Sequence, residues 1–153
     1  MRLAGRFAAL IAGLWAGILL CIAAIAAPAA FATLARPDAG RFVNRLFEQD
    51  AYLSIAVAVV LFVIERQRSR DVSAAGTGSV FSPNLMLLLG TLFCTVAGYF
   101  AVQPMMEAAR AGQGSMSFGA LHAITAGFFA LKGLLVLALA WRLSAATRTA
   151  TTS

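Results

Sequence analysis

The sequence predicts an all-α integral membrane protein, a bundle of four spanning helices. Three observations carry this. Of 153 residues, 61% are hydrophobic and 12% charged, about half the charge that a soluble domain uses. The apolar residues form long unbroken runs; the strands of a membrane β-barrel would instead alternate apolar and polar residues. Helices then remain as the way to satisfy every backbone group in lipid. The charges, finally, gather at the ends of the runs.

The first run, Phe7 to Phe31, has 25 residues without a charge. That exceeds the roughly 20 helical residues needed to cross a hydrocarbon core. The segment also has the basic start and Ala-x-Ala sites of a signal peptide. Its apolar stretch is too long for that reading, and a retained first span over 7–31 is expected. The second run, Ala51 to Ile64, has only 14 residues. Extending it to 46–64 gives a span whose outer end carries Glu48, Gln49 and Asp50, on a helix starting near Asp38 as N-cap. The third and fourth spans are 85–102 and 118–141, the last interrupted by His122 and Lys132. Residues 1–143 thus form one transmembrane domain. Residues 69–83 read as a flexible linker and 144–153 as a disordered tail.

Eleven arginines and one lysine give a net charge of +6. They flank the apolar runs and form no single patch, so the expected partners are the bilayer and anionic lipid headgroups, not nucleic acid. Seven of them (Arg2, Arg6, Arg66, Arg68, Arg70, Arg142 and Arg148) fall on one side and four (Arg36, Arg41, Arg45 and Arg110) on the other. Both termini are therefore expected to be cytoplasmic. Cys21 and Cys94 lie inside apolar runs, without metal-ligand spacing.

Span one ends in "APAAF" and span three in "QPMME", each followed by a loop, a phenylalanine and a helix closed by arginine. Two parallel hairpin repeats would give this pattern; so would the ordinary placing of proline near helix ends. The second reading is the simpler. Small residues recur every four positions around Gly13 and Gly17, around Gly90 and Gly98, and around Gly127. Such stripes let helices approach closely in lipid. They can serve the bundle or a homo-oligomer, and internal packing is expected here.

Lys132 is the anomaly. A lysine at the centre of a spanning helix costs about 2.5–3.5 kcal/mol on insertion scales. It lies ten residues from either polar end, about 15 Å, farther than its side chain reaches by snorkelling. Counting rise per residue from the cytoplasmic edge puts Lys132 at about 15 Å, Asp50 at about 22 Å and His122 at about 30 Å. The expectation is a polar intramembrane cluster of Asp50 and Lys132, with His122 and Gln103 as further candidates. Such residues are functional candidates by default; a structural ion pair is the alternative. Met105, Met106 and His122 gather near the outer edge and could hold a soft or borderline metal such as copper, although their spacing matches no ligand motif. No nucleophile with a base, phosphate-binding glycine loop or paired carboxylates appears, so an enzyme is not expected.

"GLWAGILLCIAAIAAPAAFATL", "AGRFVNRLFEQDAYL", "LMLLLGTLFCTVAGYFAVQPMMEAAR" and "FGALHAITA" together resemble the transmembrane-protein-205-like family, whose bacterial members carry a four-helix domain of unknown function. The resemblance covers about residues 7–142. It rests on Trp15-Ala16-Gly17, Pro28 with Phe31, Ala39-Gly40, Leu46-Phe47, Pro104-Met105, Arg110, and Phe118 with Leu121-His122. It implies four spans and a bacterial inner-membrane location, and no activity. Lys132 is not among the shared features, so the resemblance assigns it no role. The expectation is a non-enzymatic bundle for binding, small-solute transport or membrane support, with no cofactor. The alternative is a metal- or haem-dependent protein of copper-resistance or haem-linked redox type using His122. As the sole histidine, His122 excludes a bis-histidine haem within one chain.

Overall fold

The computed structural model describes residues 2–76 and 81–149. Four helices are long and apolar enough to cross a membrane: α1 (Leu3–Thr33), α2 (Arg36–Ala74), α3 (Pro83–Arg110) and α4 (Phe118–Thr149). No strand occurs among the described residues. The helices alternate in direction, so the start of α1, the end of α2, the start of α3 and the end of α4 share one end, the terminal end. The α1–α2 and α3–α4 connectors form the other, the hairpin end. Around the bundle the order is α1, α4, α3, α2.

Helix ends follow local chemistry. The α1–α2 connector is only Leu34 and Ala35, with Leu34 extended. Ala35 takes the N-cap position, and Pro37 sits in the first turn. Asp38 was the expected cap. It lies within the first turn of the helix instead, where its charge favours the helix N-terminus and pairs with Arg41. Ser82 caps α3 by accepting from the Leu85 amide at 3.3 Å, ahead of Pro83. Gly112, at φ 72°, closes α3. The Gln113 amide reaches the Ala108 carbonyl and the Gly112 amide that of Ala109, a Schellman ending.

The helices outrun the apolar segments. α2 begins ten residues before Leu46 and continues through Ala74, so residues 69–74 of the expected linker are helical; residues 77–80 lie outside the described part. α4 continues through Thr149, well into the expected tail, and residues 150–153 lie outside the described part. Backbone bonding and i,i+3 pairs such as Glu65–Arg68 hold a helix beyond its apolar stretch.

Two π-helical segments, Ile22–Ala26 in α1 and Val96–Ala101 in α3, break the α-helical register. Each precedes a proline, Pro28 or Pro104. A proline removes one ladder hydrogen bond and crowds the carbonyl four residues back, and a π turn relieves that crowding.

Some buried positions of the two hairpins recur at a fixed offset. Pro28 and Pro104 are 76 positions apart. The same offset pairs buried Ala12 with Leu88, Trp15 with Thr91, Leu19 with Thr95 and Ala30 with Met106. An offset of 78 pairs buried Val43 with Leu121, Ser54 with Lys132, Ala58 with Val136 and Leu61 with Leu139. The two extra residues belong to the longer second connector. Other buried positions, Ala39 and Asp50 among them, face no buried counterpart at these offsets.

The core divides by depth. Toward the terminal end all four helices share one cluster, built on Ala8, Ala12, Trp15, Leu19, Ala58, Leu61, Leu88, Val136, Leu139 and Leu143. Toward the hairpin end each hairpin keeps its own: Ala30, Ala39 and Val43 in the first, and Val102, Met106 and Leu121 in the second.

Candidate functional site

The buried face of α2 runs Asp50, Ser54, Ala58, Leu61, Glu65, Ser69, a spacing of three and four that keeps one face of a helix inward. Lys132 lies on the matching face of α4 with Val136 and Leu139. The two faces meet where the shared core gives way to the separate hairpin cores. There the Lys132 ammonium donates to Asp50 Oδ2 at 2.5 Å and to Ser54 Oγ at 3.2 Å. Ser54 Oγ is 3.2 Å from Asp50 Oδ1, and Trp15 Nε1 of α1 donates to Ser54 Oγ at 3.2 Å. Asp50, Ser54 and Lys132 are 3%, 0% and 4% exposed.

The direction of these bonds is fixed. An indole N–H and an ammonium only donate. Both point at the Ser54 oxygen, so the Ser54 hydroxyl proton must go to Asp50 Oδ1. Each carboxylate oxygen of Asp50 then faces a donor. The Lys132 ammonium also lies 5.1 Å from the centre of the Phe129 ring, and Phe129 meets Phe47 edge to face at 5.0 Å. Cys94 of α3 is buried within electrostatic reach of Lys132.

A stretch of α1, α2 and α3 carries a recognisable family pattern: residues 10–115 match a family model described as a domain of unknown function (DUF4149). The chain belongs to the DUF4149 family. No curated protein and no solved structure matches it. The DUF4149 match includes Trp15, Asp50 and Ser54 and ends before Lys132, so the cluster joins three residues of the matched region to one beyond it.

Two further polar contacts cross the hairpin interface of this DUF4149 protein. Toward the hairpin end, Gln103 Nε2 donates to Asn44 Oδ1 at 2.6 Å; Gln103 belongs to this contact and not to the Lys132 cluster. At the terminal end, buried Glu65 accepts from Arg68 at 2.6 Å and from Asn84 Nδ2 at 2.9 Å, while Arg142 donates to Asn84 Oδ1 at 2.9 Å. A shallow groove of about 320 Å³ opens beside Glu65, between Arg68, Ser69, Phe81 and Pro83. Every fully buried side-chain nitrogen and oxygen among the described residues has a partner.

His122 is exposed and stacks on Phe118, ring centres 6.0 Å apart; Arg110 lies over the same Phe118 ring. Ten residues of helix, about 15 Å, separate His122 from Lys132. Met106 is buried against Leu121, whereas Met105 is exposed. Neighbours in sequence point apart on a helix, so the pair does not present two sulfurs to one point. Among the described residues no three His, Cys, Asp or Glu side chains gather as for a metal ion.

The glycine stripes divide. A Cβ on Gly90 would meet Leu135 of α4 at 3.1 Å, and one on Gly98 would meet Phe128 Cβ at 2.6 Å, so these positions let α3 and α4 approach. Gly13, Gly17 and Gly127 have nothing within 4 Å. α1 packs instead through Ala8, Ala12, Trp15 and Leu19.

Trp15, Asn44, Glu65, Asn84 and Arg142 were not singled out from the sequence as site residues. The available signal was the four-residue spacing of Asp50 with Ser54 and of Glu65 with Ser69.

Proposed function

We propose that this DUF4149 protein is a non-enzymatic transporter of a small solute, working at the interface of its two hairpins. One observation carries the reading: the Asp50–Lys132 pair, buried near mid-depth between two hairpins that share part of their buried pattern. Parallel repeats whose interface holds the binding site near the membrane midplane, on helices with broken register, are a recurring transporter plan. The pair has that location, on α2 and α4, and the neighbouring helices α1 and α3 each carry a π segment. Polar contacts lie on the same interface above and below it, at Asn44–Gln103 and at Glu65–Asn84–Arg142.

The membrane is the bacterial cytoplasmic membrane, with both termini inside, on the excess of arginine at the terminal end. The finer family is the transmembrane-protein-205-like one. A reporter fused after Ser153 and active only outside the cell would overturn the orientation.

The test is uptake into proteoliposomes of radiolabelled glycerol, glycine, lactate and rubidium ion, with wild type beside Lys132→Met. At least one solute is expected to enter faster with wild type. Equal rates for all four would leave the pair as a structural fastening and end the transport reading.

A further inference from the structure

The donors around Asp50 are arranged for a planar anion with two oxygens. One oxygen takes the Lys132 ammonium, the other the Ser54 hydroxyl, whose direction Trp15 and Lys132 fix. Asp50 is itself such an anion, so it can stand in for a carboxylate bound from outside.

Charge decides what else fits. The cluster holds one positive and one negative charge. A cation would have to approach the ammonium. A neutral solute would accept a hydrogen bond from the ammonium but could not balance its charge in place of Asp50. A divalent oxyanion brings two charges to one lysine. A monovalent anion on Lys132 leaves Asp50 an unpaired buried carboxylate, which is costly, unless Asp50 takes a proton. One proton from bulk water then adds to an Asp50 oxygen as the incoming carboxylate takes the ammonium. One O–H bond forms on Asp50 as one breaks in hydronium, which leaves water; none in the solute breaks, and the net charge of the cluster is unchanged.

Other charged or titratable groups nearby do not replace Asp50. α3 brings the Cys94 thiol and, farther out, Tyr99, within electrostatic range of Glu48, Tyr52, Arg45 and Glu107. α1 brings the neutral Trp15; its Cys21 is exposed.

The division of the core assigns solute entry to the hairpin side of the cluster. Toward the terminal end the hairpins share one core; toward the hairpin end each has its own, bridged by Asn44–Gln103 and by the Phe47–Phe129 edge. The hairpins can part on that side while the shared core holds. The close packing around the cluster restricts the solute to a small one.

We infer that Asp50, Lys132 and Ser54 form a binding site for a small monocarboxylate taken up with one proton, Asp50 filling the site when the solute is absent. This names the solute class of the transport reading and rests on it.

Trp15 supplies the test. In a Trp141→Phe background it is the only tryptophan. The purified protein is titrated with formate, acetate and lactate, and with chloride and glycerol as controls, between pH 5.5 and 7.5. Saturable change in Trp15 emission is expected with the carboxylates alone, with affinity rising up to about tenfold per pH unit lowered, as one linked proton requires. Asp50→Asn removes the pH dependence and keeps the binding; Lys132→Met abolishes the response. No response in the Trp141→Phe protein, a response without pH dependence, or one that persists in Lys132→Met overturns the inference. Should Lys132→Met fail to fold, the pH series and Asp50→Asn decide. Glycerol uptake without carboxylate binding would overturn this inference and leave transport standing. Carboxylate binding without uptake of any solute would do the reverse, leaving a carboxylate-binding protein that does not transport.

Discussion

Replacing Lys132 with methionine removes the only charged partner that Asp50 has among the described residues and keeps much of the side chain's volume. At an effective dielectric of about 20, unit charges 2.5 Å apart attract by roughly 6–7 kcal/mol. Desolvation costs several kcal/mol per ion, so the intact pair is worth little net. Its halves are not: truncating one partner leaves the other charged, buried and unpaired. With Asp50 only 3% exposed, Lys132→Met is expected to lose about 3–5 kcal/mol. Asp50→Leu should lose a similar amount, and the double variant should return to within about 1 kcal/mol of wild type, because no charge is then stranded. Reversible unfolding in mixed detergent micelles, followed by circular dichroism, measures all four corners of the cycle. The reasoning is refuted if Lys132→Met costs less than about 1 kcal/mol, or if the double variant is no more stable than the single ones.

Other substitutions separate packing from polar fastening. Gly98→Ala pushes a methyl against Phe128 and should lose about 1–3 kcal/mol. Gly13→Ala and Gly17→Ala meet nothing and should stay within about 0.5 kcal/mol of wild type by the same unfolding assay. Asn84→Ala deprives Glu65 of one donor and Arg142 of its acceptor; a loss of about 1–3 kcal/mol is expected. Trp15, 1% exposed, should emit at short wavelength and resist aqueous iodide, whereas Trp141, 72% exposed, should report its detergent surroundings; quenching of single-tryptophan variants checks this.

Depth in the membrane could be read from the sequence because it is one-dimensional. Each helical residue advances 1.5 Å, so counting from the charged edges puts Asp50 and Lys132 within side-chain reach. The number of helices, their apolar character and the fourfold spacing of Asp50 with Ser54 come from the same counting. Helix ends were less legible. Asp38 looked like a cap, and residues 69–74 and 144–149 looked unstructured, because polar composition marks loops only when nothing holds the helix beyond its apolar stretch. Here the Glu65–Arg68 pair and buried Ser69 carry α2 past the apolar segment.

Azimuth was decided by tertiary structure alone. In water a helix shows its buried face by contrast with polar residues on the other side. In lipid the outer face is as apolar as the core, so the sequence of α1 does not say whether Gly13 and Gly17 or Ala12 and Trp15 turn inward. Only packing places Trp15 against Ser54, turns Gly98 toward Phe128, joins Asn84 to Glu65 and Arg142, and leaves His122 outside the cluster. The composition and spacing of the chain thus determined a four-helix membrane protein with a lysine that needs a partner at its own depth. The rotation of each helix about its axis, which no hydrophobic contrast encodes, determined which groups meet there.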